Sequence, residues 1–343
     1  MFRTFVVCLI SLMLTACGSL AFYGQGLVGH SRLMMQRQPI DKAIERAESA
    51  LREKLELIET LRQFAAAELH LPADRHYQHY VELNRDFVVW NVVAAPEFSL
   101  QPKLWCYPLI GCASYRGYFS EAAAQSYATG LAERGWDTTV GGVVAYSTLG
   151  WFNDPLLSSM LRGSNRDIAE LLFHELAHQV FYFENDTDLN EAFATLVGEQ
   201  GVLRWLSQVA PQQLAVYRAE LKMREQFDAL LNATRARLHG VYETDMGASQ
   251  MSQRKREIYE RLQSDYQVMK RDDWQGDARY DAWFAKPVNN ARLAAVGAYR
   301  QRLPELRSKL HECDDDFERF FAYMRHSRTL PGGWDSQGEC TIS

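Results

Sequence analysis

Two histidines and a glutamate stand close together in the middle of the chain. His174, Glu175 and His178 occupy the pattern His-Glu-Leu-Ala-His. If this segment is helical, positions four apart lie on one face, so both imidazoles can bind the same metal ion. Glu175 can then reach a metal-bound water and accept its proton. The spacing predicts hydrolysis supported by one Zn²⁺ per chain, with the two histidines as ligands and Glu175 as the general base.

A catalytic zinc site needs a third protein ligand and one open position for water. Glu191 is the candidate, because it follows His178 after a short polar stretch and begins a second apolar pattern. We expect the first helix to end near Glu184 and a turn over residues 185–188. An antiparallel helix would then point Glu191 back at the metal. The alternative is a pair of surface histidines and a solvated glutamate.

Helix signals surround the motif. Ser164 or Asn165 can cap the helix, and Asp167 in the first turn complements its dipole. Apolar residues then recur at helical spacing, which predicts a buried stripe. These residues are Ile168, Leu171, Leu172, Leu176, Val180 and Phe181.

Two longer stretches resemble known families. The residues His-Glu-Leu-Ala-His-Gln at 174–179, followed by Leu-Asn-Glu-Ala-Phe-Ala-Thr at 189–195, are similar to the core of the gluzincin zinc aminopeptidases. Residues 116–119, 145–152 and 288–291 resemble the predicted aminopeptidase family of proteobacterial lipoproteins. This second resemblance covers most of the mature chain.

The resemblance implies zinc held by His174, His178 and Glu191, with Glu175 catalytic and a peptide or protein as substrate. The chain departs from the larger aminopeptidase family, because its spacing from the second histidine to the glutamate is shorter and a Gly-x-Met-Glu-Asn motif is missing. Three hypotheses follow: an aminopeptidase, a zinc endopeptidase of the periplasm, and a non-catalytic lipoprotein with a structural zinc site. The intact Glu175 argues against the third, since a structural site would fill the fourth position with a ligand.

A β-rich run just before the motif carries a pair of glycines. Residues 137–146 read as a strand, and glycines within a strand often mark the close approach of another backbone. Gly141, Gly142, Val143 and Tyr146 are therefore candidates for binding substrate, although an ordinary β-bulge explains the glycines equally well.

The sequence also offers candidates for residues that support the metal site. Family context makes Tyr146 and Tyr299 candidates for a second oxyanion donor, although tyrosines in such positions are more often core residues. Glu199 and Asp188 are the nearest carboxylates in sequence that can orient the histidines. The sequence offers no motif that would grip a substrate ammonium.

The N-terminus reads as an export signal. An apolar run over residues 5–14 follows Arg3 and is too short for an ordinary membrane span. It ends in Leu-Thr-Ala-Cys, which resembles the bacterial lipobox and implies a signal peptide over residues 1–16 and a lipidated Cys17. By the same analogy, Gly18 implies an outer-membrane lipoprotein of the bacterial envelope, facing the periplasm and held to the membrane through the lipid anchor alone.

Four further cysteines support export. Cys106, Cys112, Cys313 and Cys340 form an even set, and an oxidising compartment favours disulfides. We expect Cys106–Cys112 and Cys313–Cys340, although spacing alone leaves the other pairings open. The net charge of −6 gives no sign of nucleic-acid binding.

The patterns together predict an α+β, zincin-like fold. A helix over residues 40–69 precedes a small twisted sheet from residues 87–146, which packs with the metal helix pair, and the C-terminal half is mainly helical. We divide the chain into a tether over 17–38 and a single body over 39–330. Within the body, residues 87–207 are the catalytic core and 208–330 the helical part. Residues 331–343 are an irregular tail.

Overall fold

The computed structural model describes residues 22–107, 111–145, 153–184, 186–297 and 302–327, together with Trp334, Gly338 and Cys340. Cys17, Gly18, Tyr146 and Tyr299, for which the sequence predicts roles, lie outside this part of the chain, as does the predicted signal peptide. No helix within the described ranges combines the length and the apolar character that crossing a bilayer requires.

The chain has α+β architecture in which helices predominate. The described strands are β1 (Gln38–Pro39), β2 (His79–Val81), β3 (Val89–Pro96), β4 (Trp105–Tyr107), β5 (Gly111–Ala113), β6 (Arg116–Tyr118), β7 (Trp136–Val143) and β8 (Leu156–Leu157). The described helices are α1 (residues 22–36), α2 (Ile40–Arg46), α3 (Ser49–Glu68), α4 (Glu121–Ala132), α5 (Asn165–Ala177), α6 (Thr187–Val209), α7 (Leu214–Tyr242), α8 (Ala248–Asp272), α9 (Asp281–Phe284), α10 (Asn290–Gly297), α11 (Leu303–Glu312) and α12 (Phe317–Ser327).

The segment predicted as a tether contains a helix that packs on the body. Helix α1 buries Leu33 in the main core. The Gln25 side chain accepts a hydrogen bond from the Phe119 backbone N–H at 2.8 Å and donates to the Gly117 carbonyl at 3.5 Å. These contacts attach α1 to the strand β6 region.

The single helix predicted over residues 40–69 is divided in two. Ala47 and Glu48 adopt extended backbone angles between α2 and α3. The Arg52 guanidinium donates to the carbonyls of Ile44 and Ala47 at 3.2 and 3.0 Å. The side chain thus satisfies carbonyls that a continuous helix would have paired, which hydrophobic spacing could not indicate.

Strand β3 lies at the centre of an antiparallel sheet with the order β6-β3-β7. Trp90, Val92 and Ala94 pack with helix α4, whereas Val93 and Ala95 pack with helix α10 on the other face. Successive side chains of a strand point to opposite faces, so a strand covered on both faces needs a continuous apolar run. Strand β7 pairs with β3 and lies at the edge of this sheet.

Asn290 joins the helical half to this sheet. Its side chain is fully buried, and its amide nitrogen lies 2.9–3.0 Å from the carbonyl oxygens of Pro96, Glu97 and Ser99. Its side-chain oxygen accepts hydrogen bonds from the hydroxyls of Tyr242 and Tyr259 at 2.9 and 2.6 Å. One amide therefore connects α7, α8 and α10 to the end of β3.

Both predicted disulfides are present. Cys106 pairs with Cys112 across the β4–β5 hairpin, and Cys313 pairs with Cys340. The second bond ties the end of the chain to helix α11. Cys313 and Cys340 are both buried in the main core.

Candidate metal centre

Helix α5 begins as predicted and ends earlier than predicted. The Ser164 and Asp167 side chains form a reciprocal capping box at its N-terminus. The predicted end near Glu184 is wrong, because α5 ends at Ala177. The N–H of Gln179 bonds to the Leu176 carbonyl, a tighter spacing that closes the last turn. His178 caps the helix with near-helical backbone angles, so its imidazole keeps its helical alignment with His174.

Helix α6 is held at its start by two side chains. Asp186 accepts a hydrogen bond from the Leu189 N–H at 3.0 Å. The buried Asn190 amide accepts from the Phe183 N–H at 2.7 Å and donates to the Phe183 carbonyl at 2.8 Å. This pair of bonds fastens the α5–α6 connection to the first turn of α6. The next residue, Glu191, therefore has a defined direction.

Helices α5 and α6 approach closely along two glycines of α6. A Cβ at Gly198 would lie 2.9 Å from the Glu170 carbonyl oxygen, and one at Gly201 would lie 2.7 Å from the Phe173 ring. Any larger residue at Gly198 would push the helices apart at the turn before His174. The close approach brings Glu191 to the two histidines, and no periodic signal in the sequence indicates it.

The three predicted metal ligands converge. The Nε2 atoms of His174 and His178 are 3.2 Å apart, and they lie 3.4 and 3.8 Å from Oε2 of Glu191. In a tetrahedral zinc site with bonds of about 2.0–2.1 Å, donor atoms are separated by about 3.3 Å. Two imidazole nitrogens and a carboxylate oxygen at these separations fit a zinc ion, and the described residues add no fourth His, Cys, Asp or Glu ligand.

The charges of the cluster are strongly coupled. Burial lowers the pKa of His178 to about 4, which favours the neutral imidazole that binds metal. Burial alone would raise the pKa of Glu191, but His178 and His174 together lower it, so the carboxylate is ionised. Burial disfavours charge on His174, yet its hydrogen bond to Glu191 leaves the His174 pKa raised.

Glu175 differs from Glu191 in its electrostatic environment. Burial raises the pKa of the Glu175 carboxyl to about 7, and the carboxylates of Glu191 and Asp154 add to the rise while His174 opposes it. A general base works best when its pKa is close to the working pH. The environment of Glu175 therefore suits proton transfer near neutrality.

Two carboxylates behind the cluster, one partly buried and one fully buried, are bound by arginines. Glu170, one turn before His174, accepts a hydrogen bond from the Tyr217 hydroxyl at 2.8 Å and pairs with Arg224. Glu199, predicted as a candidate to orient the histidines, is fully buried and bound to Arg307 at 2.7 Å. The orienting roles of Glu199 and Asp188 stay predictions. The sequence did not single out Glu170, whose charge helps to raise the pKa of His174.

Two tyrosines lie near the cluster without having been predicted. Burial raises the pKa of Tyr115, and Glu191, Tyr182 and Glu175 raise it further. Burial also raises the pKa of Tyr77, and the charge of Glu175 raises it further. The Tyr77 hydroxyl has no hydrogen-bond partner among the described residues. The sequence signal for Tyr115 was its position directly before the Arg116–Phe119 motif.

A cavity of ≈ 470 Å³ lies beside the cluster, on the α10 face of the sheet. Gly141, Gly142 and Val143 of strand β7, which are predicted to bind substrate, line it. Tyr115 and Thr187 line it as well. Thr187 and Glu191 are four apart on α6 and share a helix face, so the cavity adjoins the turn that carries the third candidate ligand.

Neither the curated proteins nor the solved structures compared with the chain gave a match. One family matches residues 21–333, which is most of the 343-residue sequence. The matched span contains the three converging ligands, Glu175 and the cavity. The chain therefore belongs to this family, which is described as "Putative aminopeptidase".

Proposed function

We propose that the chain is a zinc-dependent aminopeptidase with a zincin-like catalytic core. The observation that carries the proposal is the convergence of two imidazole nitrogens and one carboxylate oxygen within 4.8 Å of one another, next to Glu175. The family supports a peptidase, and the donor set supports zinc. Aminopeptidase specificity follows the family description.

His174, His178 and Glu191 would hold the zinc ion. Zinc bound there would lower the pKa of a water molecule and polarise the peptide carbonyl. Glu175 accepts the proton of the attacking water and returns it to the departing amine. Its raised pKa of about 7 makes both transfers accessible near neutral pH.

Tyr115 is the described hydroxyl best placed to assist this reaction. It lines the cavity, and the carboxylates of Glu191 and Glu175 influence its pKa, so it lies between the cavity and the cluster. Burial keeps the hydroxyl protonated, and a protonated hydroxyl can donate a hydrogen bond to the developing oxyanion. Tyr115→Phe would then lower kcat more than it changes KM.

Two matched substrates test the proposed activity. A free-amine aminoacyl anilide and its N-acetylated form differ only at the amino group, so their ratio separates trimming from internal cleavage. We expect hydrolysis of the free form alone, reduced about 10²–10⁴-fold by Glu175→Gln, because the general base is removed. Equal hydrolysis of both forms would indicate an endopeptidase. No hydrolysis by the zinc-loaded protein would reject catalysis.

The proposal includes an envelope location. The apolar run before Cys17 and the lipobox-like residues support a lipid-anchored chain in the bacterial envelope. Mass spectrometry of the membrane fraction should identify an acylated Cys17 as the first residue. A mature chain that starts elsewhere would contradict the anchor and leave the proposed chemistry unaffected.

A further inference from the structure

The cavity beside the candidate ligands has apolar walls from two parts of the chain. Val93 contributes from the sheet, and Trp283, Ala294 and Ala295 contribute from helices α9 and α10. An aromatic ring and small aliphatic groups form a surface that suits an apolar side chain. The cavity is large enough for one or two amino-acid residues of a ligand.

The charged residues that line this cavity are Lys286 and Arg292, both positive. The described lining contains no aspartate or glutamate. This charge is opposite to the net charge of −6 of the whole chain. The local excess of positive charge therefore favours an anionic group and repels a substrate ammonium.

Arg292 is a half-buried cation held by neutral groups. Its guanidinium donates to the carbonyls of Lys286 and Pro287 at 2.6 and 3.1 Å and to the Trp283 carbonyl at 2.5 Å. It also lies 4.6 Å from the centre of the Trp283 ring. Within the described residues it has no ion pair with a carboxylate, and burial lowers its pKa. No carboxylate among the described residues therefore pairs with its charge.

Lys286 lies on the loop between α9 and α10, and its side chain is exposed. Its ammonium makes no hydrogen bond or ion pair with the described part of the chain, and the Arg292 bonds hold its backbone in place. An exposed ammonium on this loop can meet a ligand at the edge of the cavity.

We propose that this cavity binds the carboxylate-bearing part of a short peptide, with Lys286 and Arg292 supplying the positive charge. The inference rests on the proposed peptidase function and names its substrate class. An apolar side chain of the peptide packs against Trp283, and the scissile bond lies toward Glu191, past Tyr115 and Thr187. The amino end of the peptide points away from this cavity, where two cations would repel it.

Binding measurements test the inference without requiring turnover. The full-length Glu175→Gln protein is titrated by calorimetry with alanyl-alanyl-phenylalanine and with the C-terminal amide of the same peptide. We expect the free acid to bind about tenfold more tightly, because charge-assisted hydrogen bonds exceed neutral ones. A second pair, alanyl-alanyl-aspartate amide and alanyl-alanyl-asparagine amide, shows whether a side-chain carboxylate is bound in the same way.

Lys286→Met in the same background should reduce the preference for the acid from about tenfold to about threefold, since the apolar stem is kept, one charge is removed and Arg292 remains. Lys42→Met is the matched control, because Lys42 is an exposed lysine on α2, and it should leave the preference intact. Equal binding of acid and amide in both pairs, or an unchanged preference in Lys286→Met, would overturn the inference. Because Glu175→Gln is used throughout, this outcome is independent of whether the anilide is hydrolysed.

Discussion

The candidate metal centre and the cavity beside it are assembled in different ways. The centre comes from two consecutive helices, and all of its candidate ligands lie between His174 and Glu191. The cavity takes its walls from strand β3, strand β7, the first residue of α6 and the α9–α10 segment. One site depends on spacing within a helix pair, and the other depends on the position of distant segments.

The two sites are therefore held in place by different residues. Asn190 fixes the start of α6 through Phe183 and serves the metal centre. Asn290 fixes α10 against the end of β3 and serves the cavity. Both are buried asparagines whose amides bond to backbone groups. Substituting each one in turn can therefore separate zinc binding at the metal centre from peptide binding in the cavity.

The largest effect is expected from removing a candidate ligand. His178→Ala should abolish stoichiometric zinc and reduce hydrolysis to background, because two remaining ligands hold the ion poorly. Metal analysis and anilide hydrolysis measure both effects. Peptide binding to the cavity should persist, and its loss would show that the two sites are not independent.

Asn290→Ala should have the next largest effect. Removing this amide leaves buried carbonyls and two tyrosine hydroxyls without their partner, so we expect a loss of about 3 kcal/mol in the free energy of unfolding. Peptide affinity should fall while zinc per chain is retained. The control Asn232→Ala, at an exposed position on α7, should stay within about 0.5 kcal/mol of the parent. Loss of zinc together with peptide affinity would show that the two sites are not held by different residues.

Asn190→Ala should produce the reverse pattern at a smaller scale. Loss of the two bonds to Phe183 should destabilise the chain by about 2 kcal/mol. Zinc affinity should fall about 10–100-fold, as it does when a residue that orients a ligand is removed. Zinc titration checks this expectation. Peptide binding to the cavity should be unchanged. An equal loss of zinc affinity and peptide affinity would show that Asn190 supports both sites.

The smallest expected effect is a pH dependence of the metal-free protein. The Glu175 pKa is about 7 in the folded chain and 4.5 in an ordinary glutamate. Between these values the unfolded chain releases a proton that the folded chain retains, so the stability contributed by Glu175 is complete below pH 4.5 and is lost as pH rises to about 7. Relative to Glu175→Gln, the wild type should lose on the order of 1 kcal/mol over this range, because the site is partly accessible to water.

Urea unfolding of both proteins in the presence of a chelator, at several pH values, measures that difference. A constant difference between pH 4.5 and 7 would show that Glu175 titrates as an ordinary carboxyl. Glu175 and Glu191 would then not differ in the direction of their pKa shifts as the structure indicates.

Several features of this chain were predictable from local sequence. Ser164 and Asp167 cap α5 as their types and spacing indicated, and Cys106–Cys112 and Cys313–Cys340 pair as expected. The convergence of His174 and His178 follows from the pitch of a helix. Their binding of zinc stays a prediction.

Other local predictions were wrong where a side chain competes with the helix. The Arg52 guanidinium accommodates a break at Ala47 within a pattern that reads as one helix. Helix α5 ends at Ala177, before its apolar spacing ends, and Asn190 holds the connection that follows at Phe183. Hydrophobic periodicity indicates which face of a helix is buried, but it carries little information about the residue at which the helix ends.

The sequence by itself determined the chemical types and the helical spacing of the candidate ligands, because these depend only on neighbours within a few turns. Tertiary structure alone decided the cavity, its pair of cations and the place of Tyr115. The α10 wall of the cavity depends on Asn290, which joins α10 to the end of β3, nearly two hundred residues earlier in the chain. Such a contact has no periodic signature, since its partners are backbone carbonyls whose positions exist only after the sheet and the helices have packed.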